Sequence, residues 1–293
     1  IYTCFPFTTL FRSAQEYLLW ALGNICAGED ERVDEAVAAS LFPPQQEGQQ
    51  LHPLLHAAAP PSSEAVRCRA AVVVGNLAQA QAAHATRLVR GGMLVALADS
   101  LHAAQHTRTK QRVAQAVTNL TYGSDREQAE RQAGAHSVGL PAALVAALGS
   151  GVVESPAREA LAQALGNLSV GTSPQGHSYA QAAVEAGALP QLLGGVQHAS
   201  EGSELEAHLV ALLCVTSTKD PAGENRRADR AVAEGLFEVV VAVLSCAASE
   251  RVRELAVWNL VNATEATNAS GRERANQAVA SGALAALGMT LQA

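Results

Sequence analysis

The chain has 293 residues, of which 48% are hydrophobic but only 4% aromatic, and it carries a formal net charge of −7. Its length fits two ordinary domains or one extended array. The acidic balance excludes general binding to phosphate backbones, which rests on a basic surface that releases counterions. The hydrophobic excess is alanine, which favours helices whose backbones approach closely.

The opening stretch IYTCFPFTTLF is apolar, but it lacks a basic leader and is shorter than the roughly 18 residues a membrane span needs. No targeting or membrane segment is expected, and 1–13 read as the remnant of a preceding repeat or an N-terminal extension. From residue 14 onward the chain repeats itself. LLWALGNICAG, AAVVVGNLAQA, VAQAVTNLTYG, LAQALGNLSVG, HLVALLCVTST and RELAVWNLVNA align, placing Asn24, Asn76, Asn119, Asn167, Cys214 and Asn259 in one column. Two residues before that column stand Leu22, Val74, Val117, Leu165, Leu212 and Val257, and one after it Ile25, Leu77, Leu120, Leu168, Val215 and Leu260. Positions three apart share a helix face, so these columns predict a core stripe repeated six times. Small residues three before the column (Ala21, Val73, Ala116, Ala164, Ala211, Ala256) predict close approach between neighbouring helices.

Between these helices a second pattern recurs: VRGGMLVALADSL, VEAGALPQLLGGV, VAEGLFEVVVAVL and VASGALAALGMTL. It predicts a short helix ending at Gly92, Gly187, Gly235 or Gly282, where glycine tolerates a left-handed backbone, followed by a second amphipathic helix. The copy after Asn119 places its turn near Gly134 and Gly139, and the first copy is Pro/Gln-rich, which predicts a surface insertion near 43–50. Each unit is then helix, sharp turn, helix, loop, helix, an all-α repeat of about 40–47 residues of the kind that stacks into solenoids. Cys4, Cys26, Cys68, Cys214 and Cys246 lie far apart without a C-x-x-C pair, reading as reduced, buried thiols of a cytoplasmic or nuclear protein.

These columns resemble the armadillo-repeat family over about 14–293, some six units. The resemblance implies a right-handed α-solenoid whose third helices line a concave groove for an extended peptide. There an Asn side chain offers both a donor and an acceptor to a ligand backbone. Asn24, Asn76, Asn119, Asn167 and Asn259 match that position, Gln115 and Gln163 could add contacts, and the competing reading ties each Asn to its own or the adjacent repeat. Trp20, four residues before Asn24, also resembles importin-α, where such a pair grips a lysine. The aligned positions in later repeats are Val72, Gln115, Gln163, Val210 and Leu255, so classical nuclear-signal reading is not expected, and Trp258 is assigned to the core.

Other features carry less. Glu29, Asp30, Glu31, Asp34 and Glu35 form a solvated acidic loop and helix start, or attract a basic partner segment. His52/His56 and His102/His106 have helical i, i+4 spacing but no third ligand at a metal-site spacing, so no metal or cofactor is expected. No phosphate-loop, dinucleotide or hydrolase motif is present. Glycosylation-like triplets begin at Asn119, Asn167, Asn262 and Asn268, the first two within the repeat helices. The sequence thus predicts a non-enzymatic scaffold or adaptor whose partner is a protein, met as an extended peptide or as subunits of a larger complex. Nucleic acid and membrane insertion are not expected. The alternatives are a structural subunit of a cytoskeletal or organellar assembly, using solenoid ends and convex face, and a nuclear-transport adaptor. Missing sequence or a partner is expected to cover the apolar ends.

Overall fold

A computed structural model describes residues 7–27, 53–123, 126–151, 153–170, 174–217, 225–265 and 268–291. The insertion near 43–50, the acidic run at 29–35, Cys4 and His52 lie outside them. Among the described residues every regular element is a helix. The chain divides into two compact units, 1–143 and 144–293.

In the first unit α1 (Phe7–Cys26) runs unbroken through the boundary placed at residue 13. It is followed by α2 (Pro53–Ala58), α3 (Glu64–Ala80), α4 (Ala82–Arg90), α5 (Met93–His102), α6 (Thr107–Thr121), α7 (Arg126–Ser137) and α8 (Leu140–Leu148), the last crossing the division. The helices α1, α3 and α6 are successive third helices, packed α1 on α3 and α3 on α6. The second unit repeats the plan with α9 (Ser155–Ser169), α10 (Pro174–Glu185), α11 (Ala188–His198), α12 (Ser203–Thr216), α13 (Arg226–Ala233), α14 (Leu236–Cys246), α15 (Glu250–Thr264), α16 (Ala269–Ala280) and α17 (Ala283–Thr290). Here α9, α12 and α15 are the third helices, packed in that order.

Local chemistry explains the punctuation. Gly92, Gly187, Gly235 and Gly282 are left-handed, with φ of 89°, 91°, 98° and 90°, and each caps the start of a second helix. In the disguised copy Gly139 makes the turn with φ 74°, whereas Gly134 stays within α7 and packs on Leu94 and Val89. The small-residue columns meet as expected: a Cβ on Gly75 would lie 3.6 Å from the Cα of Ala116, and one on Gly166 3.3 Å from the Cα of Ala211. Leu77, Leu120, Leu168, Val215 and Leu260 are buried, but Ile25 is exposed. Of the described thiols only Cys26 is buried, and Cys246 is exposed, which corrects the uniform burial expected. Cys214 is half-buried at its surface, and the protein packed around its sulfur desolvates the thiol, pushing it up to about 11 and keeping it protonated.

A second set of ties, invisible in the repeat columns, joins neighbouring repeats. The guanidinium of Arg131 on α7, with 0% exposure, donates to Tyr122 O just beyond α6 and to Thr86 Oγ1 on α4. Buried Arg227 on α13 donates to Val215 O at the end of α12 and meets His177 Nδ1 on α10 at 2.9 Å. Buried Arg274 on α16 donates to Ala263 O near the end of α15 and pairs with Asp229 on α13. Each arginine satisfies carbonyls that a helix C-terminus leaves orphaned and complements its negative dipole end. Arg131→Met keeps the bulk but strands Tyr122 O, so it is expected to lower stability to urea by about 3 kcal/mol. An unchanged midpoint would contradict the role.

His208 on α12 is buried, with Nδ1 2.8 Å from Glu204 O and Nε2 without a partner. The ring lies where Gly195 on α11 has no side chain, because a Cβ there would come within 2.0 Å of His208 Cδ2. Nδ1 donates to the carbonyl, so a proton on Nε2 would be a buried charge with no acceptor. Burial accordingly lowers the His208 pKa from its ordinary 6.5. Between the folded and ordinary values the unfolded chain binds more protons, so stability falls as pH drops below 6.5. One such group contributes a slope of at most about 1.4 kcal/mol per pH unit, and denaturant titrations from neutral to acid pH should show it flattened in His208→Asn.

Candidate functional site: the exposed face of the third helices

Counting from the cap of each third helix locates the repeated face. Asn76, Asn119 and Asn167 each stand thirteen residues after the N-cap of their helix, Ser63, His106 and Glu154. All three are half-buried. Asn76 Nδ2 donates to Gly23 O at 2.9 Å, and Asn119 Nδ2 to Gly75 O at 3.0 Å, each reaching the third helix before it. The acceptor is a carbonyl, so it identifies which end of the amide is nitrogen. In Asn76 and Asn119 the Oδ1 accepts no bond from the described protein. One end of the amide is anchored and the acceptor end remains on the half-open face. Asn24 is exposed on the same face of α1.

Asn259 departs from its expected place. It has 0% exposure, and its Nδ2 donates to Leu209 O at 3.0 Å and Leu255 O at 2.9 Å while Oδ1 is buried without a partner. The residue thirteen after the Ser249 cap of α15 is Asn262, half-buried, with Nδ2 2.8 Å from Thr216 Oγ1 on α12. The register of the last repeat is therefore shifted by three. Asn259 occupies the inner-face position that Ala164 holds on α9, and its side chain cannot reach a ligand from there. On α12 the face has no Asn, with Cys214 half-buried and Val215 buried.

The same shift moves Trp258 out of the core. It is 52% exposed and stands four residues before Asn262, the spacing of Trp20 and Asn24. The last repeat therefore carries a second Trp–Asn pair at i, i+4 spacing, and Trp258 is exposed rather than part of the core. Trp20 is 50% exposed; Arg69 Cζ from α3 lies 5.5 Å from its ring centroid, and the Tyr17 ring is 6.4 Å away. The place where a ligand cation would sit is thus occupied from within. Gln115 accepts from Arg112 Nη1 at 2.9 Å, and exposed Gln163 donates to Glu159 Oε1 at 3.1 Å, so each already has a neighbour on its own helix.

Elsewhere the candidates for chemistry are engaged apart from one another. His102 Nδ1 lies 2.9 Å from Ala98 O, while His106 Nε2 is 3.9 Å from Glu64. Among the described residues no three His, Cys, Asp or Glu side chains gather into a metal-holding group, and no helix is long and apolar enough to cross a membrane.

No family model and no curated protein matches the chain. Solved structures do. A designed armadillo repeat protein in complex with peptide (KR)4 matches with a TM-score of 0.68 at 21% identity, covering 82% of this chain and 91% of that one. An engineered protein matches with a TM-score of 0.71 at 19% identity, over 87% and 92% of the two chains. A second designed armadillo repeat protein matches with a TM-score of 0.60 at 18% identity, over 79% and 99%. Helix order, left-handed glycine turns and these likenesses agree on one architecture, and the chain has the all-α armadillo-repeat solenoid fold.

Proposed function

We propose that the chain is a non-enzymatic protein-binding scaffold that captures an extended peptide on the Asn-bearing face of its third helices. The observation that carries this reading is the half-used amide of Asn76 and Asn119: Nδ2 is fixed to the preceding helix and Oδ1 has no partner in the described protein. An acceptor oriented in advance costs a ligand little ordering, and an extended backbone supplies N–H donors at a regular spacing. In the first unit Trp20, Asn24 and Gln115 belong to the proposed face, and in the second unit Gln163 and Asn167 belong to its counterpart, with Asn262 and Trp258 in place of Asn259. The (KR)4 peptide in the designed armadillo complex is consistent with peptide capture by this fold.

A second reading, a structural subunit of a larger assembly, draws on exposed Leu284, Met289 and Leu291 in and beside α17. It needs no ligand on the third helices.

Selection from a display library of extended peptides, followed by titration of the selected peptide, separates the two. Asn76→Ala/Asn119→Ala/Asn167→Ala should weaken binding by at least about tenfold, since each lost hydrogen bond contributes about 1 kcal/mol. Asn259→Ala should lower the melting temperature without changing affinity at temperatures where it is folded. Undiminished binding by a folded triple variant would reject the groove.

A further inference from the structure

Within the first unit the exposed stripe of the third helices is basic. On α6 the residues Arg108, Arg112, Gln115 and Asn119 follow a spacing of four, three and four, which keeps them on one face. On α3 the same positions are Ala65, Arg69, Val72 and Asn76. Among the described residues none of Arg69, Arg108 and Arg112 has a carboxylate partner: Arg69 lies over Trp20, Arg112 donates to Gln115, and Arg108 is exposed. Of the arginines elsewhere, Arg90 pairs with Glu130, Arg158 with Glu204, Arg230 with Glu234, Arg251 with Glu254 and Arg274 with Asp229, while Arg67 and Arg253 are held by backbone carbonyls. In a chain with a net charge of −7, cations left unpaired on one stripe beside the Asn amides mark a local reversal of sign.

We infer that the first unit's stripe takes an acidic peptide, with Arg69 and Arg112 as the residues that select it. This rests on the groove reading above and goes beyond it by naming the charge of the ligand. Arg69 determines the sign at the first Trp–Asn pair: with its guanidinium over the Trp20 ring, a ligand lysine meets a like charge, whereas a carboxylate meets a cation that has no carboxylate partner among the described residues. Packed helices run about 8–10 Å apart and an extended peptide rises about 3.3 Å per residue, so carboxylates two or three residues apart reach both arginines. The second unit lacks this arrangement. At the positions of Arg69 and Arg112, α9 and α15 carry buried Ala160 and Leu255, and Arg251 on the stripe is tied to Glu254 at 2.6 Å.

The test is fluorescence anisotropy with three labelled peptides of equal length, alternating Glu/Ser, Gln/Ser and Lys/Ser, against the full chain. Glu/Ser should bind at least about tenfold more tightly than Lys/Ser, and Arg69→Gln/Arg112→Gln should remove that advantage while leaving helical circular dichroism unchanged. Lys/Ser binding as tightly as Glu/Ser, or a Glu/Ser affinity indifferent to the double variant, would overturn the inference, as would equal affinity for single-stranded RNA of matched length. If Gln/Ser binds in a manner that needs Asn76 and Asn119 while Glu/Ser gains nothing, the acidic preference fails and the groove stands. If no peptide binding depends on those Asn residues, the groove itself fails, and the inference with it.

Discussion

Within each unit of this protein, repeats are tied to backbone carbonyls of the repeat before them. Two side-chain devices make the connection. An Asn on the third helix donates across to the preceding third helix, as Asn76 does to Gly23 O and Asn119 to Gly75 O. An Arg on the first helix closes the end of the preceding third helix, as Arg131, Arg227 and Arg274 do at Tyr122, Val215 and Ala263. In a core built from alanine, valine and leucine, smooth apolar faces would pack in several registers with little difference in energy. Directional bonds to particular carbonyls remove that freedom, because a slipped register would leave a buried donor unpaired.

The same constraint links structure to the proposed function. An Asn amide has a donor end and an acceptor end, and the scaffold uses the donor end. What remains, at Asn76 and Asn119, is an acceptor whose direction the fold sets. Asn259 shows the alternative: there the amide lies inward, Nδ2 donates to Leu209 O and Leu255 O, and Oδ1 is buried without a partner and out of a ligand's reach. On the proposed reading, structural and ligand-facing roles are two ends of one side chain at Asn76 and Asn119, and mutually exclusive at Asn259.

Much of the fold was legible in the sequence because it depends on features with a fixed period. The left-handed glycines at 92, 187, 235 and 282 were readable because only glycine tolerates that backbone cheaply, and the small residues facing Gly75 and Gly166 because repetition exposed them. The last repeat was misread because both Asn259 and Asn262 offer themselves to alignment and Leu260 follows the first of them, as Leu168 follows Asn167. Counting from the Ser249 cap, which fixes where the helix starts, distinguishes them and brings Trp258 to the surface. The arginine ties escaped notice for a different reason. Their helices are short and polar, and the groups they satisfy, main-chain carbonyls, have no signature in sequence. Arg69 was equally hidden, since its contact with Trp20 joins residues from different repeats.

The anchoring of the Asn amides is open to direct measurement by NMR hydrogen exchange on their side-chain NH2 groups. The account expects one Nδ2 proton each of Asn76 and Asn119 to be protected well beyond an exposed amide, with a through-bond coupling to the carbonyl carbon of Gly23 and Gly75. Nδ2 protons exchanging at the rate of a free asparagine would contradict it, leaving the Asn column without its structural half.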